Sequence, residues 1–158
     1  MSQGPTGVSD IPTADAPEPL LMYLCKRLEQ VIRHRLDYVL RPWGATAVQY
    51  TALTVLANRP DNTVTSAVLA RRSFVTAQSM HDMVRAMERS GWIERTRDDS
   101  HRRQKLIRLT ESGRQMLAEV APLTAEIERT MLGEFDDAAR VQFRTMLNSS
   151  YRALAGAS

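Results

Sequence analysis

Apolar positions recur along most of this chain at helical spacing and in one region at strand spacing. The stretch Thr65–Gly91, TSAVLARRSFVTAQSMHDMVRAMERSG, reads as two helices, Thr65–Arg72 and Thr76–Arg89, joined by a tight turn. Thr65 and Thr76 stand where an N-cap belongs, since a threonine oxygen can accept a free first-turn amide. Met80, Met83, Val84 and Met87 fall at i, i+3, i+4 and i+7, one face of a helix and therefore core. The opposite face shows Gln78, Ser79, His81, Asp82, Arg85 and Arg89, and Gly91 is a stop signal. The pattern is that of a helix-turn-helix whose second helix can lie in a DNA major groove.

The flanking pattern extends this reading. Pro19–Arg41 carries Leu20, Leu21, Leu24, Leu28, Val31, Ile32, Tyr38 and Val39 at helical period and ends at Pro42-Trp43-Gly44. It outruns the core of one small domain, so part of it is expected to pack on a second subunit. Thr46 with Gln49 forms a capping box for a helix to Asn58, with Ala52, Leu53, Val55 and Leu56 inward. Arg59–Val64 reads as a loop. Trp92–Arg97 and Gln104–Leu109 are extended runs around the polar turn Asp98–Arg103, a β-hairpin. Thr110 caps a helix from Glu111 to about Leu132, in which Pro122 is expected to produce a kink near 118–122. Asp136 caps a last helix to about Leu154. The predicted fold is mainly α with a small β-hairpin, a winged helix-turn-helix in the order α-α-α-α-β-β-α-α. Residues 1–17 read as a flexible tail and 18–155 as one domain, with the helix-turn-helix at 65–89 and the wing at 92–109. The amphipathic helices at 19–41 and 111–155 lie outside a minimal winged helix, and are expected to interdigitate with their copies in a two-fold homodimer.

Charge sharpens the picture. The chain has 21 Lys+Arg against 18 Asp+Glu. Between Arg71 and Arg108, however, ten basic residues face five acidic ones, so the excess is concentrated around the helix-turn-helix and wing. A positive patch on a near-neutral body suits a polyanion. Nineteen of the basic residues are Arg, the side chain that makes bidentate contacts to phosphate and guanine. Cys25 is the single cysteine, which excludes an internal disulfide, and it reads as a buried structural residue. His34, His81 and His101 lack metal-ligand spacing, so no metal and no cofactor is expected. No apolar run approaches a membrane span and no signal peptide opens the chain, which points to the cytoplasm.

At this point the sequence resembles the MarR (multiple antibiotic resistance regulator) family of winged-helix transcription factors, from about Leu20 to Leu154. Gly44-Ala-Thr46-Ala-Val-Gln49-Tyr50 is similar to the family's entry to its second helix. Leu69-Ala70, Thr76 and Met87–Arg95 resemble its "LA…S…LExxGxxxR" frame. Asp98–Arg103 followed by Leu109-Thr110-Glu-Ser-Gly113-Arg114 resembles its "DxxDRR…LTxxG" wing and exit. The resemblance implies a homodimeric repressor of an operator in double-stranded DNA. It further implies a small aromatic or phenolic effector bound between the dimer helices and the DNA-binding lobe. Such a cleft would be lined by Tyr23, Arg27, His34, Trp43, Tyr50 and Met116.

Two departures stand out. His101 occupies the place of an acid that orients the wing arginine two positions on, here Arg103, a role that Asp98 or Asp99 could take. Phe74 fills a turn position that often holds Gly, so the turn is expected to avoid positive φ.

Within this frame Gln78, Ser79, His81 and Arg85 are the base-edge residues, because Gln matches adenine N6/N7 and Arg matches guanine O6/N7. Asp82 either reads a cytosine amino group or pairs with Arg85 or Arg89. Arg72, Thr76 and Arg97 are phosphate clamps, and Arg102 and Arg103 are minor-groove residues at the wing tip. The alternative is a non-specific architectural DNA-binding protein that follows phosphate electrostatics alone. A winged helix used purely for protein contact is a further rival. An enzyme is not expected, because no Ser/His/Asp, metal-ligand or Gly-rich phosphate arrangement is present.

Overall fold

The computed structural model describes residues 20–59, 63–97 and 105–156. In chain order the elements are α1 (Leu21–Leu40), a single 3-10 turn (Arg41–Trp43), α2 (Ala47–Ala57), β1 (Thr63–Thr65), α3 (Ser66–Arg72) and α4 (Ala77–Arg89). They continue with β2 (Ile93–Arg97), β3 (Lys105–Leu109), α5 (Glu111–Met131) and α6 (Asp137–Ala155). The expected helices and both hairpin strands form, with ends within two residues or so of the sequence reading.

Local chemistry explains the boundaries. Thr46 and Gln49 make a full capping box at α2. Thr65, Thr76, Thr110 and Asp136 each accept an amide hydrogen bond from the third residue on, at the starts of α3, α4, α5 and α6. After α4, Gly91 adopts φ 74°, while its amide donates to Glu88 O and that of Trp92 to Met87 O. This is a Schellman stop, and it reverses the chain into the wing.

The sheet differs from the expected two-stranded hairpin. It has three antiparallel strands in the order β1-β3-β2. Val64 of β1, read as loop, pairs with Ile107 of β3, and both are buried. Three residues are too few to show alternation, so only the partner strand reveals β1 as a strand.

The core joins α1, α2, α3, α4, the sheet and the first half of α5 through Leu40, Leu53, Leu56, Leu69, Met80, Met87, Ile93, Ile107, Leu109 and Val120. Met83 on the same stripe of α4 is partly buried against it. The α5 helix runs through Pro122 to Met131, so the proline does not end it. Its first turn crosses the wing so closely that a Cβ on Gly113 would lie 2.2 Å from Trp92 O. No residue of α6 is buried.

Two further expectations are corrected. Phe74 does adopt positive φ, at 58°. It follows Ser73 at the end of α3, and the amide of Val75 donates to Ala70 O, the hydrogen bond of a second Schellman stop. The stop requires a left-handed residue there, whatever its side chain. Cys25 is exposed rather than buried, because it lies on a part of α1 that no described element covers fully.

Candidate nucleic-acid interface

The α4 helix sets out its two faces as its periodicity requires. Met80, Val84 and Met87 are buried, while Gln78, Ser79, His81, Asp82, Arg85 and Arg89 are exposed. The four base-edge candidates therefore share one open surface, on an element anchored from behind. Thr76 is partly committed: its Oγ1 accepts the Ser79 amide at 3.1 Å and donates to Ser79 Oγ at 2.9 Å. Asp82 pairs with neither Arg85 nor Arg89 among the described residues.

The wing is fastened to this helix. Glu88, in the last turn of α4, accepts from Arg95 of β2, with Nε to Oε1 at 3.1 Å and a second guanidinium contact to Oε2. The bidentate pair holds the Glu88 carboxyl below its ordinary range, chiefly through the Arg95 hydrogen bond, and raises Arg95 by the same contact. Arg95, counted above as part of the positive patch, is thus a brace between helix and hairpin. Arg108 of β3 faces Glu94 across the ladder at 3.9 Å. Arg97 is the last residue of β2. His101, Arg102 and Arg103, with Asp98 and Asp99, lie outside the described residues.

The remaining clamp candidate, Arg72, is exposed at the end of α3. With Tyr50, Thr54, Asn58 and Arg59 it lines an open groove of about 430 Å³ beside α2.

A larger cleft of about 590 Å³ lies elsewhere, and its lining is mostly apolar. One wall is α1, through Cys25, Leu28, Glu29, Ile32, Arg33 and Leu36. The others are Ala47, Val48 and Thr51 of α2 and the turn Ser73-Phe74-Val75.

The six residues expected around an effector are not gathered by either cleft. Tyr50 alone lines the smaller one and none lines the larger. Met116 is buried in the core. Trp43 Nε1 donates to Glu119 Oε2 at 3.0 Å and Tyr50 OH donates to Thr124 Oγ1 at 3.2 Å, so both tie the DNA-binding lobe to α5. The Arg27 guanidinium sits 5.7 Å from the ring centre of Tyr23, and both residues are exposed on α1, as is His34.

Residues 43–104, from the last residue of the 3-10 turn to the residue before β3, match the family model described as MarR family. This segment is of the MarR type. The HTH-type transcriptional repressor Rv2887 of Mycobacterium tuberculosis is 29% identical over 133 residues, covering 84% of this chain and 92% of the relative. Among solved structures, the S. aureus MepR–DNA complex is similar at TM-score 0.76 and 22% identity, covering 86% of this chain and 99% of that one. CouR from Rhodococcus jostii RHA1, bound to p-coumaroyl-CoA, is similar at TM-score 0.73 and 23% identity, with coverage of 82% and 90%. The two structural likenesses establish the fold. Of the proteins reported above, Rv2887 is named as a transcriptional repressor.

Sequence reasoning missed three features of this chain. The Glu88–Arg95 brace spans a turn and needs the Schellman geometry to become visible. The Asp37 carboxylate of α1 accepts the Ala47 amide at 2.7 Å, a cap supplied to α2 from another helix. The large cleft gathers three segments distant in sequence, and no local pattern marks it.

In the described residues no helix is long and apolar enough to cross a membrane, and no cluster of three or more potential metal ligands occurs.

Proposed function

We propose that this MarR-family regulator acts as a homodimeric repressor that binds a pseudo-palindromic operator in double-stranded DNA and is released by a small-molecule effector. The observation that carries the reading is α4: one face is locked into the core and the other presents Gln78, Ser79, His81 and Arg85 together. Such a helix can enter a major groove with its side chains free to meet base edges. Arg72, Thr76 and Arg97 then serve as phosphate contacts, and Arg102 and Arg103 reach the minor groove from the wing tip.

The dimer is supported by apolar surface that one subunit leaves open. Leu21, Tyr23 and Leu24 on α1 and Leu147, Tyr151 and Leu154 on α6 are exposed. A 19-residue helix with nothing buried lacks the tertiary packing that supplies most of a helix's stability in a protein. A second copy meeting it about a two-fold axis supplies the missing burial and places two α4 helices about 34 Å apart, one DNA turn. Rv2887 is named a repressor, MepR is seen on DNA and CouR is seen bound to p-coumaroyl-CoA, so repression, DNA binding and ligand binding each have a precedent among similar proteins.

Selection of bound duplexes from a random pool tests the reading. The expected product is an inverted repeat with half-sites one helical turn apart. Recovery of unrelated sequences, with affinity set by salt alone, would establish the architectural alternative instead.

A further inference from the structure

Tyr23, Arg27 and His34, expected around an effector, lie instead on a stripe of α1 that faces away from the core. With Gln30, Tyr38 and the cap residue Arg41 they follow one another at three or four residues, within an arc of about 80° at about 100° per residue. All six are exposed, and the helix packs through its opposite side, where Leu36, Val39 and Leu40 meet the core. Two arginines lie over two tyrosines: Arg27 Cζ is 5.7 Å from the ring centre of Tyr23, and Arg41 Cζ is 5.5 Å from that of Tyr38. Such contact keeps a guanidinium in place while leaving its N–H groups free for an anion. Neither arginine pairs with a carboxylate among the described residues. Asp37, at the margin of the stripe, is turned to the Ala47 amide.

A cationic and aromatic face suits an acidic chain rich in proline, because carboxylates match guanidinium groups and extended proline segments dock on aromatic rings. The segment that precedes α1 has that composition. Residues 1–19, outside the described residues, hold Asp10, Asp15 and Glu18, no Lys or Arg, and Pro5, Pro12, Pro17 and Pro19. The spacing agrees as well. At about 1.5 Å per residue, Arg27, His34 and Arg41 stand about 10, 21 and 31 Å along the helix axis from Leu20. A chain that turns back at Leu20 with the polyproline rise of about 3.1 Å brings Glu18, Asp15 and Asp10 about 6, 16 and 31 Å along the same line. Exposed ion pairs are weak singly, but an attached segment meets its site at an effective concentration on the order of millimolar.

We propose that residues 10–18 lie back along this stripe of their own chain, with their carboxylates on Arg27, His34 and Arg41 and their prolines against the tyrosine rings. The segment thereby covers a face that would otherwise attract any polyanion. Leu21 and Leu24, part of the apolar surface through which α1 is proposed to meet a second copy, lie off the stripe, so segment and partner do not compete for them. The inference does not depend on the operator reading.

The test uses the full chain with Thr13→Cys in a Cys25→Ser background, a nitroxide on the thiol at position 13, and paramagnetic broadening of backbone amides. Thr13 falls about 22 Å back along the line, level with His34. Amides of residues 30–38 are expected to lose most of their intensity at low salt, while those of α4 and β2 keep theirs. Salt at about 1 M should restore the signals by screening the pairs. Asp10→Asn, Asp15→Asn and Glu18→Gln together should restore them as well, and these substitutions touch no described residue. Arg41→Glu should also release the segment near its far end, and Asp10→Arg added to it should bring the broadening back. Broadening that only decays along α1 from Leu21, or that falls on another surface, overturns the proposal. So does broadening indifferent to the triple substitution. Mixed samples of spin-labelled and isotope-labelled chains assign the contact, and broadening found only between subunits overturns the placement on the same chain.

Discussion

Glu88 and Arg95 join the last turn of α4 to β2, the first strand of the hairpin, across the Gly91 reversal. Each is about one-third exposed, so solvent screens the pair and its worth is about 1 kcal/mol or less. The sign of its pH dependence follows from the lowered Glu88 carboxyl. Stability from the pair is complete above the unfolded value of about 4.3 and is lost as pH falls through the lower folded value. Glu88→Gln should therefore lower stability modestly at pH 7 and make almost no difference near pH 3. Urea melts of both proteins at the two pH values check this, and an equal deficit at both would contradict it.

Gly113 is needed for the way α5 meets the wing. An added Cβ would lie 2.2 Å from Trp92 O and 2.7 Å from Leu109 Cδ1. The backbone oxygen cannot swing aside, and it also accepts the Thr110 amide at 3.0 Å. Gly113→Ala should cost about 1–3 kcal/mol from overpacking, although alanine is ordinarily the better helix former by about 1 kcal/mol. Chemical denaturation reads this directly, and a variant as stable as the parent would mean that the close approach is not obligatory.

Phe74 is a bulky residue in a glycine conformation. Its left-handed backbone costs about 1–2 kcal/mol, and its ring, 77% exposed, recovers little of that by burial. Phe74→Asn should raise stability by about 0.5–1 kcal/mol, since Asn tolerates this region. Phe74→Val, β-branched, should lower it. Thermal melts that rank the three in any other order would show that the ring makes a contact the single chain does not display.

These features show what was legible in the sequence. Thr46, Thr65, Thr76, Thr110 and Asp136 announced helix starts because capping is a contact over three residues. The two faces of α4 were readable because Met80, Val84 and Met87 obey its period. Phe74 was misread because the stop is set by backbone hydrogen bonds to Leu69 and Ala70, not by the residue at the left-handed position. Cys25 was misread because a wide apolar stripe on α1 does not say which part the same chain covers. β1 and the large cleft were invisible because both exist only through partners far along the chain.

The open stripe on α6 gives a prediction about assembly. Leu147, Tyr151 and Leu154 recur at helical spacing, all exposed in one subunit. Leu147→Glu places a charge where a partner would remove water, a change that costs several kcal/mol at a buried site. The variant should sediment as a monomer and lose the inverted-repeat footprint, with the winged-helix core intact by amide exchange. An unchanged dimer would move the interface off this face of α6.

Arg85 and Arg103 are expected to fail in different ways on DNA. Arg85 stands on the exposed face of α4, where a guanidinium can read guanine O6 and N7. Arg85→Ala should cost about 1–3 kcal/mol on the selected site and flatten the preference at one base position per half-site. Arg103, in the wing stretch outside the described residues, is proposed above as a minor-groove cation. Arg103→Ala should weaken binding strongly and reduce the slope of log affinity against log salt by about one for each arginine removed from the DNA. Fluorescence anisotropy on the selected duplex and on single-base variants, at several salt concentrations, separates the two effects. Parent-like affinity in both variants would mean that neither α4 nor the wing tip reads DNA in the way its surface chemistry suggests.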